Sequence, residues 1–121
     1  MTLESLYTVD RHEEGAWLDV LDPRTGKKHG LRLHLVGSDS DTYRAAEAEL
    51  YEARIKARQS KVEPNEAYDE LVEKLVKCTK GWEGVEDEFT RAKVRELYRK
   101  SPPVFDQVSK FIEDRANFYR D

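Results

Sequence analysis

Several things are scarce in this chain, and each scarcity removes a class of explanation. A single cysteine, Cys78, allows no internal disulfide and fits a reducing compartment. The three histidines, His12, His29 and His34, show no metal-site spacing to Cys78 or to one another. Glycine is sparse, and neither a glycine-rich phosphate loop nor a nucleophile elbow is present. No apolar run approaches membrane-spanning length. The opening MTLESLYTVDRHEEG lacks the apolar segment and small-residue cleavage pattern of a signal peptide. A soluble protein of the cytoplasm is the expectation. Basic excess is missing too: residues 1–40 carry 5 Lys/Arg against 7 Asp/Glu and residues 41–121 carry 16 against 18, for a net charge of -4. Such an even spread argues against a nucleic-acid backbone binder.

Apolar residues reach only 38%, matched by 38% charged. Yet aromatics make up 10% of the 121 residues, and apolar spacing recurs along the chain, so a small core beneath a charged surface is expected rather than disorder. Residues 1–15 read as a loosely held arm, and 16–121 as one domain. Within 16–37, Leu18 and Val20 flank Asp19, and Leu31, Leu33 and Leu35 alternate with Arg32 and His34. That is the period of half-buried strands. Between them Asp22-Pro23-Arg24-Thr25-Gly26 has the composition of a tight turn. A lone hairpin is marginal in water, so the leucine row needs cover from helices or from another chain; it is a candidate self-association face, with a ring or filament as its product.

Four helices are predicted, at about 41–59, 65–79, 91–100 and 102–119. Ser38 and Asp41 have capping-box spacing at the start of the first. Its stripe of Tyr43, Ala46, Leu50, Ala53 and Ala57 is thin, and Tyr51 and Ile55 fall off it amid Arg54, Arg58 and other charges. These four residues form the candidate partner-binding face; the competing reading packs Tyr51 and Ile55 against the hairpin. Tyr68, Leu71, Val72, Leu75 and Val76 give the second helix a core-facing stripe. Gly81 is placed as its left-handed terminator, with Trp82 folding back as a clamp on Leu75 and Val76; an exposed binding role for Trp82 is the alternative. Phe89 and Val94 bracket Thr90 as a hydrophobic staple around an N-cap. Ser101 is expected to cap the last helix, with proline in its first turn. The fold class is mainly α with a small β-hairpin, the helices forming a small bundle.

No constellation for chemistry emerges. Asp39 to Leu50 opens like a calcium loop but has Arg44 where glycine is needed and Leu50 where a glutamate is needed. Cys78 sits near a helix C-terminus, which raises a thiol pKa, with no base beside it. The run after Trp82, EGVEDE, reads as a solvated acidic segment ahead of a helix.

In order, a Trp-containing strand, a turn, LRLHLVGSDSDTYRAA, a charged helix, LVEKLVKCTKGWEGV and FTRAKVRELYRKSPPVFDQVSKFIEDRANF resemble the tail assembly chaperones of long, non-contractile-tailed bacteriophages. The likeness spans residues 16–119. It rests on Ser40 with Tyr43, the Gly81-Trp82 step, Phe89-Thr90, and the ending through Pro103, Val104, Gln107, Phe111, Ile112, Asn117 and Phe118. The loop after Trp82 departs from the family in being compact and acidic. The resemblance implies no enzyme and no cofactor, but a protein of the host cytoplasm, absent from the mature virion. It would bind the tape measure protein and keep it soluble while tail tube subunits assemble around it. A frameshift-extended form would recruit the tail tube protein. A structural adaptor or head-tail joining component of a phage particle is the alternative, with a small regulator behind it.

Overall fold

The computed structural model describes residues 1–56 and 64–119, with Pro64 and Asn65 in backbone only. The hairpin forms as its turn chemistry dictates. Asp22 accepts the Arg24 N–H through Oδ1 at 2.8 Å and the Gly26 N–H through its carbonyl at 2.8 Å, while Gly26 takes a positive φ of 71°. Strand β1 (Ala16–Leu21) runs antiparallel to β2 (Lys28–Leu35), pairing Leu18 with Leu33. At the far end of β1, the Gln107 side-chain amide bonds Leu21 twice. Its Oε1 accepts from the Leu21 N–H and its Nε2 donates to the Leu21 carbonyl, each at 2.8 Å.

Helices α1 (Val9–Glu14), α2 (Asp41–Lys56), α3 (Pro64–Lys77), α4 (Arg91–Lys100) and α5 (Pro102–Glu113) make the protein mainly α. A third strand that the sequence reading missed, β3 (Thr79–Glu83), completes the sheet in the order β1-β2-β3. It pairs antiparallel with β2, Trp82 opposite Leu33 and Gly81 opposite His34. The expected second helix therefore ends two residues early. The Thr79 hydroxyl donates to the Leu75 carbonyl at 2.8 Å and takes over the terminating role assigned to Gly81.

One face of the sheet is core. Leu31, Leu33 and Leu35 are 8%, 0% and 0% exposed and pack with Val72, Leu75 and Val76 of α3, Val94 and Tyr98 of α4, and Val108 and Ile112 of α5. The leucine row is thus covered within the chain and is not the self-association face expected of it. The opposite face is polar. Trp17 stacks on His34 with centroids 4.8 Å apart, and Arg32 reaches both Asp19 and Glu83 across the strands.

Trp82 is structural by position, but as a strand residue. Half-buried, it packs on the core, sets its ring edge-on to Phe89 at 5.2 Å, and donates from Nε1 to the Asp87 carbonyl at 2.9 Å. Phe89 also touches the core, Val94 is fully buried, and Thr90 Oγ1 caps α4 by accepting the Lys93 N–H at 3.1 Å, as the staple reading requires.

Other boundaries move. Ser40, not Ser38, caps α2: its Oγ accepts the Tyr43 N–H at 3.0 Å and donates to the Gly37 carbonyl. Ser101 precedes α5 without a side-chain cap; its carbonyl accepts from Val104 and Phe105. The last helix stops at Glu113, where Asp114 Oδ1 accepts the Ala116 N–H and opens a 3-10 turn over Arg115–Phe118. Residues 57–59 of the first expected helix lie outside the described residues.

Two glycines separate the strand account of this region from the terminator account. Gly81 has no positive φ, and a methyl there meets nothing within 4 Å. Gly84 has φ 89°, and a Cβ there would stand 1.9 Å from the Gly30 carbonyl oxygen. Gly81→Ala is expected to leave the stability unchanged or raise it slightly, by up to about 1 kcal/mol. Gly84→Ala is expected to cost more than about 3 kcal/mol, as strain and overlap add. A large loss for Gly81→Ala in thermal or urea denaturation would return the helix-terminator role to it.

Candidate partner-binding site

Helix α2 is pinned at its N-terminus and open along its outer side. Glu13 of α1 reaches across, accepting from the Thr42 N–H at 2.9 Å and from the Thr42 hydroxyl at 2.7 Å. It thereby places a carboxylate where the helix dipole favours one. These bonds hold the Glu13 carboxyl below its ordinary pKa against the opposing effect of burial. Tyr43 and Ala46 are buried on the inner side, where Lys74 of α3 lies over the Tyr43 ring and donates to its hydroxyl at 3.2 Å. Burial raises the Tyr43 pKa despite that lysine. Further along, Ala46, Leu50 and Ala53 line a shallow groove of about 240 Å³ against α3.

Tyr51 stands about 140° around the helix from Ala46, given 100° per residue. It is 67% exposed, and Ile55, one turn on, is 45% exposed. Neither is buried against the hairpin. Of the two arginines grouped with them, Arg54 turns toward α3, its Nε 3.4 Å from Glu70 Oε2. Arg58 lies outside the described residues. The face that remains is an exposed aromatic-aliphatic pair on a helix braced from behind by Arg54–Glu70 and Lys77–Glu49. Exposed pairs such as these add little stability each.

A second concave surface, of about 320 Å³, lies between β3 and α4. Leu31, Trp82, Val85 and Leu97 are its apolar lining, and Asp87, Lys93, Glu96 and Lys100 line it with charges of both signs. Lys93 bonds Asp87 at 2.8 Å and holds that carboxyl below its usual pKa; Lys100 meets Glu96 at 3.2 Å.

The segment read as a loose arm contains a buried polar cluster. His12 is 1% exposed, stacked on Phe118 at 4.6 Å, and its Nδ1 accepts the Asp39 N–H at 3.0 Å. That acceptance places the proton of the neutral ring on Nε2, which makes no hydrogen bond and lies 3.5 Å from Asp39 Oδ2. Asp39 itself is gripped by Arg115 in a two-pronged contact, Nε to Oδ2 at 2.9 Å and Nη2 to Oδ1 at 3.0 Å, and accepts from the Thr8 hydroxyl at 2.7 Å. The sequence reading missed this cluster. Its members are up to 107 positions apart, from Thr8 to Arg115, and no local pattern joins them.

Cys78 is fully buried, and burial pushes its thiol up to about 12, so it stays protonated and inert near neutrality. Among the described residues no cluster of three or more metal-ligating side chains occurs, and no helix is long and apolar enough to cross a membrane. Compared with known proteins, the chain matches no family model, no curated protein and no solved structure.

The cluster around His12 makes stability depend on pH in two steps. Burial lowers the His12 pKa from its ordinary 6.5, so the unfolded chain takes up this proton first and stability falls as pH drops below about 6.5. The Arg115 contact lowers Asp39 from 3.8 to about 2, so its contribution is complete above 3.8 and is lost as pH falls toward 2. His12→Asn retains an acceptor near the Nδ1 position but does not titrate. The melting temperature of this variant is expected to stay level between about pH 7.5 and 5, where the parent declines. An unchanged decline in the variant would assign the first step to another group.

Proposed function

We propose that this chain is a non-enzymatic holding chaperone for tail assembly in a bacteriophage with a long, non-contractile tail, and that its client is the tape measure protein. The reading comes from the family resemblance of residues 16–119. The structural observation that favours it is the exposed Tyr51–Ile55 pair on α2. A tape measure chain is long, helical and apolar-striped. Such a helix is gripped by aromatic and aliphatic anchors spaced one turn apart on a braced partner helix. Two anchors in a charged surround bind many similar segments weakly, and weak holding allows release as tail tube subunits arrive. The tail tube protein would be engaged through a frameshift-extended form, and the chaperone would remain in the host cytoplasm, outside the mature virion.

Tyr51→Ser with Ile55→Ser tests the assignment. Both side chains are exposed, so the stability of the double variant is expected to lie within about 1 kcal/mol of the parent's. Co-expressed tape measure protein should move from the soluble to the insoluble fraction. Full solubilisation by the folded variant would remove α2 as the client face. Finding the chain as a stoichiometric component of purified virions would replace the chaperone reading with that of a structural adaptor.

A further inference from the structure

Residues 1–14 are held to the rest of the chain mainly by polar bonds. No side chain of the 3-10 turn Leu3–Leu6 is buried, and in α1 only that of His12 is. The His12 carbonyl accepts the Gly37 N–H at 2.9 Å, and His12 Nδ1 accepts the Asp39 N–H at 3.0 Å. On either side, Thr8 donates to Asp39, Glu13 accepts from Thr42, Lys80 donates to the Glu13 and Glu14 carbonyls, and Arg11 lies over the Tyr119 ring. Gly15, at φ 84°, separates α1 from the first pair of the sheet, Ala16 with Leu35. A segment that buries so little apolar surface opens at a lower free energy than the whole fold.

We propose that residues 1–14 form a strap that acid releases as a unit: a proton on His12 Nδ1 breaks its bond to the Asp39 N–H, and α1 leaves while the sheet and α2–α5 stay folded. In the docked ring Nδ1 serves only as an acceptor. A proton there sets donor against donor. The ring has no space in which to turn away. It is 1% exposed and stacked on Phe118, and the backbone crosses it so closely that a Cβ on Gly37 would stand 2.1 Å from Nδ1.

Two charged groups face the imidazole: Asp39 favours an added charge and Arg115 opposes it. Asp39 is already committed. Arg115 holds both of its oxygens, and Oδ2 also accepts from Thr8, so an imidazolium would have to share a carboxylate that three donors already use. The other ionisable neighbours are directed elsewhere: Arg11 to Tyr119, Glu13 to Thr42, and Lys80 and His34 to backbone carbonyls, while Asp10 and Glu14 are exposed. Once released, the ring regains its ordinary pKa of 6.5, so protons favour the open strap as pH falls below that value. Release uncovers Phe118 and withdraws the Glu13 carboxylate from the first turn of α2, where the Ser40 cap remains. The device stands apart from client binding on α2, and each can fail without the other.

Amide hydrogen exchange followed by NMR, under conditions where rates report the opening equilibrium and after correction for intrinsic rates, tests the strap directly. The His12, Gly37 and Asp39 N–H groups all depend on it, whereas the Val36 N–H, one residue before Gly37, donates to the Cys78 carbonyl. At pH 7.5 the three strap amides are expected to share one protection factor, at least about tenfold below that of Val36. Between pH 7.5 and 5.0 this shared factor should fall by up to about thirtyfold, the most that one group titrating at 6.5 after release supplies. In His12→Asn the Gly37 and Asp39 amides should still open together, with less than about a twofold change over the same range. If that variant loses its cooperative melt, the parent's imidazole nitrogen shifts take its place: the docked ring should stay neutral, with its proton on Nε2, down to pH 5.0. Equal protection of all four amides, a shared factor that does not fall in acid, a fall that persists in His12→Asn, or a docked ring that takes up a proton with its amides still protected overturns the proposal.

Discussion

The phenol of Tyr98 organises this fold. It is the largest of the fully buried side chains, and a buried hydroxyl without a partner costs far more than a typical hydrogen bond returns. Its partner is Thr79 Oγ1, at 2.6 Å. The Thr79 hydroxyl proton is committed to the Leu75 carbonyl, so Tyr98 is the donor in this pair and burial holds its pKa well above the ordinary value. The backbone carbonyl of Tyr98 in turn accepts from Tyr68 at 3.0 Å. One residue of α4 thereby fixes both ends of α3 and sets the point at which the chain leaves that helix. The residues beyond that exit become β3, and without β3 the leucine row of β2 would have one bare flank.

That dependence explains which parts of the architecture were legible in the sequence. The hairpin turn, the Thr90 cap and the proline start of α5 are decided within five residues, so local chemistry suffices to find them. β3 is decided by a phenol some 19 positions away, and TKGWE on its own carries a glycine-tryptophan step that fits a helix terminator equally well. The leucine row is legible as a buried face, but its cover is not. A composition only 38% apolar suggests too little core, whereas a third strand and three helices supply enough.

The candidate sites divide the same way. Periodicity finds Tyr51 and Ile55, since residues off the buried stripe of a helix must face elsewhere. Arg54 beside them shows the limit of that logic: a long side chain can wrap from the outer face to an acid on the neighbouring helix. The N-terminal segment departs furthest from its sequence pattern. Nothing in TLESLYTVDRHEE marks His12 as buried, because its cover comes from Phe118 and its hydrogen-bond donor from Asp39. A buried imidazole that must remain neutral is a tertiary decision.

The paired hydrogen bonds between Gln107 and Leu21 also protect an edge of the sheet. An open sheet invites any extended segment to add itself as another strand, and a three-stranded sheet has two flanks at risk. The Gln107 amide presents one donor and one acceptor in the spacing of a peptide group, so the end of β1 is occupied by something that resembles a strand and cannot be extended. A helix thus supplies a counterfeit backbone unit. At that position the sheet cannot serve as a template for another strand.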